Sequence, residues 1–316
     1  MIADVTFSSV SAPLCCAHDD GSFPAEDATD EQGCDGMRDG GRRDDAGVCR
    51  GAVGGAVGAI SVAGRRRVSR QNDTGPIARA QAALAADPRN PQKFIALAVA
   101  QSGVWQFREA IATLTKGLEV EPNNVMLLRW RGHRYNSVRE FAKARADLSR
   151  GFALDSTNYG ILFHYGVLRF IDADFTGAAQ MFARAQPRAP DGGERAGSTD
   201  WLWMSLSRAG KTADADAMLA RHPDSLPAPP GYAYVQRLKL YRGELTPATL
   251  FGPADTAAVQ IATLSYGLGD WYMVHGDTVQ AKAAFERAVA TGGWPGFGFN
   301  VAEAELRRMT ASAKKK

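Results

Sequence analysis

Residues 110–122 read AIATLTKGLEVEP, residues 144–156 read ARADLSRGFALDS and residues 178–190 read AAQMFARAQPRAP, three stretches set 34 residues apart. Laid over one another they resolve into columns: Ala110, Ala144 and Ala178, then Leu114, Leu148 and Phe182, then Gly117, Gly151 and Ala185, then Pro122, Ser156 and Pro190. The residues before them keep the same step, with a large apolar position at Phe94, Leu128 and Leu162 and a small one four further on at Ala98, Gly132 and Gly166. Steps of three and four put these residues on single helical faces, so each unit reads as a pair of helices. A small residue lets the partner helix approach closely, and a large one fills the space between hairpins. One hairpin cannot bury its own apolar face, so about three units must stack before a continuous core exists.

A 34-residue period with bulky, small, small, bulky and proline columns resembles the tetratricopeptide repeat (TPR) family. The resemblance implies an all-α fold, an α-solenoid of stacked TPR hairpins forming a right-handed superhelix with a concave binding groove. In that family the first helices of successive hairpins line the groove. Carried over position by position, this gives Arg129, Trp130, His133 and Asn136 from the second unit, Phe163, His164, Val167 and Phe170 from the third, and Tyr266 and Asp270 from the last. Arg129 is expected to select charge and Trp130 to act as apolar anchor, although Trp130 and Phe163 fit inter-repeat packing equally well. Members that grip the C-terminal carboxylate of chaperones use Lys and Asn where this chain has Ile95, Val99 and Trp130, so that ligand is not expected.

Working outward, the array is expected to span 74–310, with strict repeats at 91–190, degenerate repeats at 198–255, a closing repeat at 256–292 and a cap helix at 299–310. Ile77 to Ala86 is rich in helix formers and ends at Asp87-Pro88, and Asn90-Pro91 supplies an N-cap and a helix-compatible proline. Beyond Pro190 the period loosens through an apparent linker, Asp191 to Ser198, but the turn position runs on from Ala173 to Gly210, Gly243 and Gly276. Tyr232 to Tyr241 is expected to pair with a short helix opened by Thr246-Pro247, and Pro223 to Gly231 to form a loop. Asn300 and Glu303 have capping-box spacing, and Phe299, Ala302, Leu306 and Met309 form one stripe with Glu303 and Arg307 on the water side. A basic tail, 311–316, follows.

Residues 1–73 have another character. The first 50 carry eleven acidic residues against four basic ones, leaving 23 against 33 for the remainder. With neither helical nor alternating period, the segment cannot bury enough apolar surface to offset ordering entropy, and it reads as disordered. All four cysteines (Cys15, Cys16, Cys34, Cys49) lie there, without the paired spacing of a zinc site. The N-terminus is a poor export signal, which favours the cytoplasm over the periplasm, and no apolar run is long enough to span a bilayer. Arg65-Arg66-Arg67 and Arg70 lack the interleaved aromatics of a nucleic-acid surface.

No catalytic constellation appears. Ala209-Gly210-Lys211-Thr212 has Ser205 where a phosphate-binding loop needs glycine, so it reads as a hairpin turn. His133 and His164 come from neighbouring helices but lack a third ligand, so neither metal nor cofactor is expected. The chain reads as a non-catalytic scaffold binding a protein or peptide, with an exported envelope-associated assembly factor or a regulatory enzyme subunit as alternatives.

Overall fold

The structure, a computed structural model, describes residues 60–62, 66–68, 75–221 and 231–313. The expectations for residues 1–59, for the proline-rich loop 222–230 and for residues 314–316 lie outside the described residues. Within the stretch read as disordered, Ile60–Val62 (β1) pairs antiparallel with Arg66–Val68 (β2). From residue 75 onward every regular element is helical.

A leading helix, α1 (Pro76–Ala86), packs on the first complete hairpin, α2 (Pro91–Gly103) with α3 (Phe107–Val120). The next two are α4 (Val125–Ser137) with α5 (Phe141–Leu154), and α6 (Tyr159–Ile171) with α7 (Phe175–Ala185). Their start is written by a column of its own: Asn90, Asn124 and Asn158 accept from the backbone N–H groups of Gln92, Leu127 and Ile161, donors that the first turn leaves unpaired. The glycine columns are where helices cross. A Cβ on Gly132 would stand 2.7 Å from Leu148, and one on Gly166 2.8 Å from the Phe182 ring. Leu114, Leu128, Leu148, Leu162 and Phe182 are fully buried between the hairpins so formed.

The array continues through α8 (Gly192–Arg208) with α9 (Thr212–Ala220), a single helix α10 (Ala233–Tyr241), and α11 (Ala258–Val274) with α12 (Thr278–Ala290). Two expectations are corrected here. The apparent linker 191–198 is the first part of α8: Asp191 caps it, and Gly197 lies against Tyr234 and Phe163, so its glycine serves close packing and not chain flexibility. Thr246-Pro247 opens no helix. The segment is a loop in which the Thr249 hydroxyl stands 3.1 Å from that of Thr246 and Asp255 accepts from the Gly252 N–H, while Leu250 plugs an apolar cluster with Leu240 and Leu264. Pro247, Gly252 and Pro253 within seven residues leave no room for a regular turn of helix.

Six turns share one backbone path. The N–H of Gln106, Glu140, Asp174, Lys211, Glu244 and Asp277 each returns to a carbonyl five residues earlier, at 2.8–2.9 Å. The residue before each is left-handed: Trp105, Arg139 and Ala173 with φ of 63°, then Gly210, Gly243 and Gly276 with φ from 76° to 83°.

The last element departs most from expectation. The helix α13 spans Phe297–Ala313, so it absorbs the start of the expected basic tail. Asn300 lies inside it, fully buried, and does not form the capping box. Glu303 turns away from Arg307 to pair with Arg139, 164 residues back in the chain. Arg307 stays exposed while Glu303 is buried, and the helix packs on α11 and α12 with a smaller contact to α6.

Candidate functional site

The ten groove residues inferred from the sequence are all buried, so the concave face is not an open surface. They form two neighbourhoods. Arg129, Trp130, His133, Asn136, Phe163 and His164 gather on α4 and α6, while Val167, Phe170, Tyr266 and Asp270 sink into the packed interior of α6, α8 and α11.

In the first group, Trp130 packs with Phe94, Ile95, Ala98 and Leu127, which makes it an inter-repeat packing residue and not an exposed anchor. Adjacent on one helix, Arg129 and Trp130 do not diverge: the guanidinium carbon lies 4.0 Å from the indole centre. The His133 and His164 rings stand 4.1 Å apart, with Arg134 Nη2 2.7 Å from His133 Nδ1, and His164 Nδ1 donates to the Gly160 carbonyl at 2.6 Å. Burial, then the charges of the neighbouring arginines, hold both imidazoles well below their ordinary pKa. They are neutral at physiological pH. Among the described residues no three His, Cys, Asp or Glu side chains converge as metal ligands would.

The second group is interior. Phe170 packs edge-on to Trp201 at 5.3 Å, and Tyr266 stacks between Trp201 and Phe285. Asp270 is fully buried and paired with Arg208 at 2.7 Å. Next to it Asp200 lies 3.0 Å from Arg237, and its carboxyl is pushed up to about 7 by burial, against the pull of that guanidinium.

What covers His133, Phe163 and His164 is the chain's own C-terminal segment. Phe297 sits 5.1 Å from His133, 5.7 Å from His164 and 6.2 Å from Phe163, ring centre to ring centre. Upstream, Trp294 packs edge-on to Trp105 and Phe107 at 5.8 and 5.0 Å. Arg139 donates to the carbonyls of Ser137 and Trp294 and sends Nε and Nη2 to Glu303 Oε2 at 3.0 and 2.9 Å. Further along, Glu305 takes Arg208 at 2.9 Å, and Arg308 donates to the Ile171 carbonyl at 2.8 Å. Burial raises the Glu305 carboxyl, but Arg308 and Arg208 outweigh it and hold the group below its ordinary value. Gly298 permits this fit, because a Cβ there would meet Ala262 O and Thr263 Cα at 2.7 Å.

Two hairpin turns, through Trp105 and Arg139, and Arg208 beside the Gly210 turn thus grip one segment. Sequence reading missed them. The signal was present: stepping back 34 residues from Ala173 gives Arg139, and again gives Trp105. Two buried amides lack a protein partner. Asn136 and Asn300 are fully exposed to neither water nor a protein partner, and both ends of each amide lack a hydrogen bond. Each such buried group costs about 1–3 kcal/mol.

Hairpins at a 34-residue step, closed by a recurrent left-handed turn and bearing a concave face, define a TPR-type helical-repeat protein. No family profile matches the chain, and no curated protein does. Among solved structures it is similar to a tetratricopeptide repeat protein from Parabacteroides merdae, at 16% identity and a TM-score of 0.42 over 73% of this chain and 90% of that one. It is likewise similar to YrrB, described as a TPR protein with an unusual peptide-binding site, at 14% identity and a TM-score of 0.40 over 67% and 91%. PilF of Pseudomonas aeruginosa shares 18% identity at a TM-score of 0.41 over 63% and 90%. Among the described residues no helix is long and apolar enough to cross a membrane.

Proposed function

We propose that the protein is an interaction scaffold that receives a helical segment of a partner protein along its concave face, at the surface formed by Arg129, Trp130, His133, Asn136, Phe163 and His164. One observation carries this reading: the face already holds a helix in cis, through aromatic contacts to Phe297 and ion pairs from separate repeats. An array whose first helices converge on one amphipathic helix has the shape and chemistry to hold another. The two arginines that meet the segment's carboxylates, Arg139 and Arg208, favour a ligand with carboxylates.

The reading is tested in the native cell by placing a photo-crosslinking amino acid at Phe163, on the groove wall against Phe297. Crosslinks from this position to a second protein are expected, beside those to the chain's own C-terminal segment. Crosslinks confined to the same chain, while a surface position such as Val279 captures partners, would move the binding site to the convex face.

A further inference from the structure

We propose, resting on the groove reading above, that Trp294–Arg308 stands in for a partner's docking helix, and that this partner helix carries an aromatic ring at the place of Phe297 and carboxylates six and eight residues further along, as Glu303 and Glu305 do. The array fixes a receptor for each group. His133, His164 and Phe163 surround the ring, Arg139 takes the first carboxylate and Arg208 the second. The two arginines belong to different repeats, Arg139 in the α4–α5 turn and Arg208 at the end of α8. Their spacing along the face therefore reads the spacing of carboxylates on the bound helix, a selectivity that a single cation does not give.

Two features mark the resident segment as a replaceable ligand. The first is a pair of buried amides, Asn136 on α4 and Asn300 on α13. Neither amide finds a hydrogen bond. A partner side chain that offers Asn136 a donor and an acceptor would fit the site better than the resident helix does. The second is its attachment: the segment hangs from α12 through Gly292, a left-handed glycine with φ of 74°. Tethering gives it a high effective concentration, so a partner must match its chemistry closely to compete.

The probe is a labelled synthetic peptide of residues 292–313, followed by fluorescence anisotropy on the full chain. Two variants open the groove by different routes: Gly298→Val wedges α13 from α11, and Phe297→Ala removes the ring. Hydrogen exchange over 297–309 reports whether the segment has left, and circular dichroism that the hairpins remain. Both opened variants should bind the peptide at least tenfold more tightly than wild type. A peptide carrying Glu303→Lys and Glu305→Lys should lose at least tenfold on them and regain affinity when Arg139→Glu is added to the protein. Equal binding of the two peptides would overturn the carboxylate pattern while leaving groove binding intact. No binding of either peptide to a chain whose segment exchanges freely would remove the groove reading itself. Full protection of 297–309 in both variants would show a permanent core helix and overturn the proposal.

Discussion

The hairpin turns of the first three complete repeats and those of the later ones follow the same backbone path with different residues. Trp105, Arg139 and Ala173 occupy the left-handed position in the first set, and Gly210, Gly243 and Gly276 in the second. A residue with a Cβ there costs roughly 1–2 kcal/mol relative to glycine. The later turns take the inexpensive residue. At the first two of the early turns the strained residue is also the one that touches the C-terminal segment, through the Trp105 ring and the Arg139 guanidinium. Ala173 has a small side chain with no such contact, although the neighbouring Ile171 carbonyl accepts from Arg308. The difference teaches that Trp105 and Arg139 trade conformational ease for an outward contact, whereas Ala173 has the left-handed backbone without such a contact.

Substitutions at these turns should separate the two roles. Arg139→Ala keeps the strain, removes the guanidinium and strands Glu303, so a loss of about 3–5 kcal/mol is expected in denaturant unfolding. Arg139→Gly should lose about 1 kcal/mol less, the backbone being relieved. Equal losses for the two would show that the turn is not strained. Gly166→Leu probes the packing that both halves share. With the Phe182 ring 2.8 Å from its Cβ, it should cost on the order of 1–3 kcal/mol or more. An unchanged midpoint would break the assigned register.

Acid distinguishes the halves by sign. His133 and His164 have folded values below their ordinary 6.5, so in acid the unfolded chain takes up protons that the folded chain refuses. Their contribution is present above about pH 6.5 and falls as pH drops below it, by about 1.4 kcal/mol per pH unit for each histidine. Asp200, raised from 3.8 to about 7, acts oppositely: the folded chain holds its proton between those values, and stability falls as pH rises through them. Comparing wild type with His133→Gln plus His164→Gln over pH 4.5–7.5 isolates the first effect. The variant should lose less stability in acid, and parallel curves would mean that the histidines are not held neutral. The smallest effect belongs to Ala173→Gly, expected to stabilise by about 1 kcal/mol, with Gly210→Ala destabilising by a similar amount. Matching signs for this pair would show that the two turns are not equivalent.

Most of the architecture was legible because it repeats. Ala110, Gly132, Gly166 and Phe182 announce their roles by recurring at a fixed step, and the hairpins they predict are present. What failed had no period to reveal it. Asn300 and Glu303 match a capping box locally, yet Glu303 is claimed by a residue far back in the chain and Asn300 is buried within the helix. Gly192, Gly193 and Gly197 read as a linker because composition does not distinguish glycine used for freedom from glycine used for close approach. Among the groove residues, His133, Phe163 and His164 lie under Phe297, which a helix brings from the other end of the molecule. That event leaves no mark in the residues it covers.

The contact between Arg139 and the Trp294 carbonyl closes 155 residues of chain, and the one with Glu303 closes 164. In an open repeat array each unit touches only its neighbours, so unfolding can begin at one end and spread stepwise. Here the early hairpins and the final helix are joined directly, and the end repeats cannot fray without breaking those joints. Distant closure raises the mean sequence separation of contacts, which slows folding relative to a purely local array. The chain should therefore fold late and unfold as one body, trading the gradual melting of a solenoid for the single transition of a globular domain.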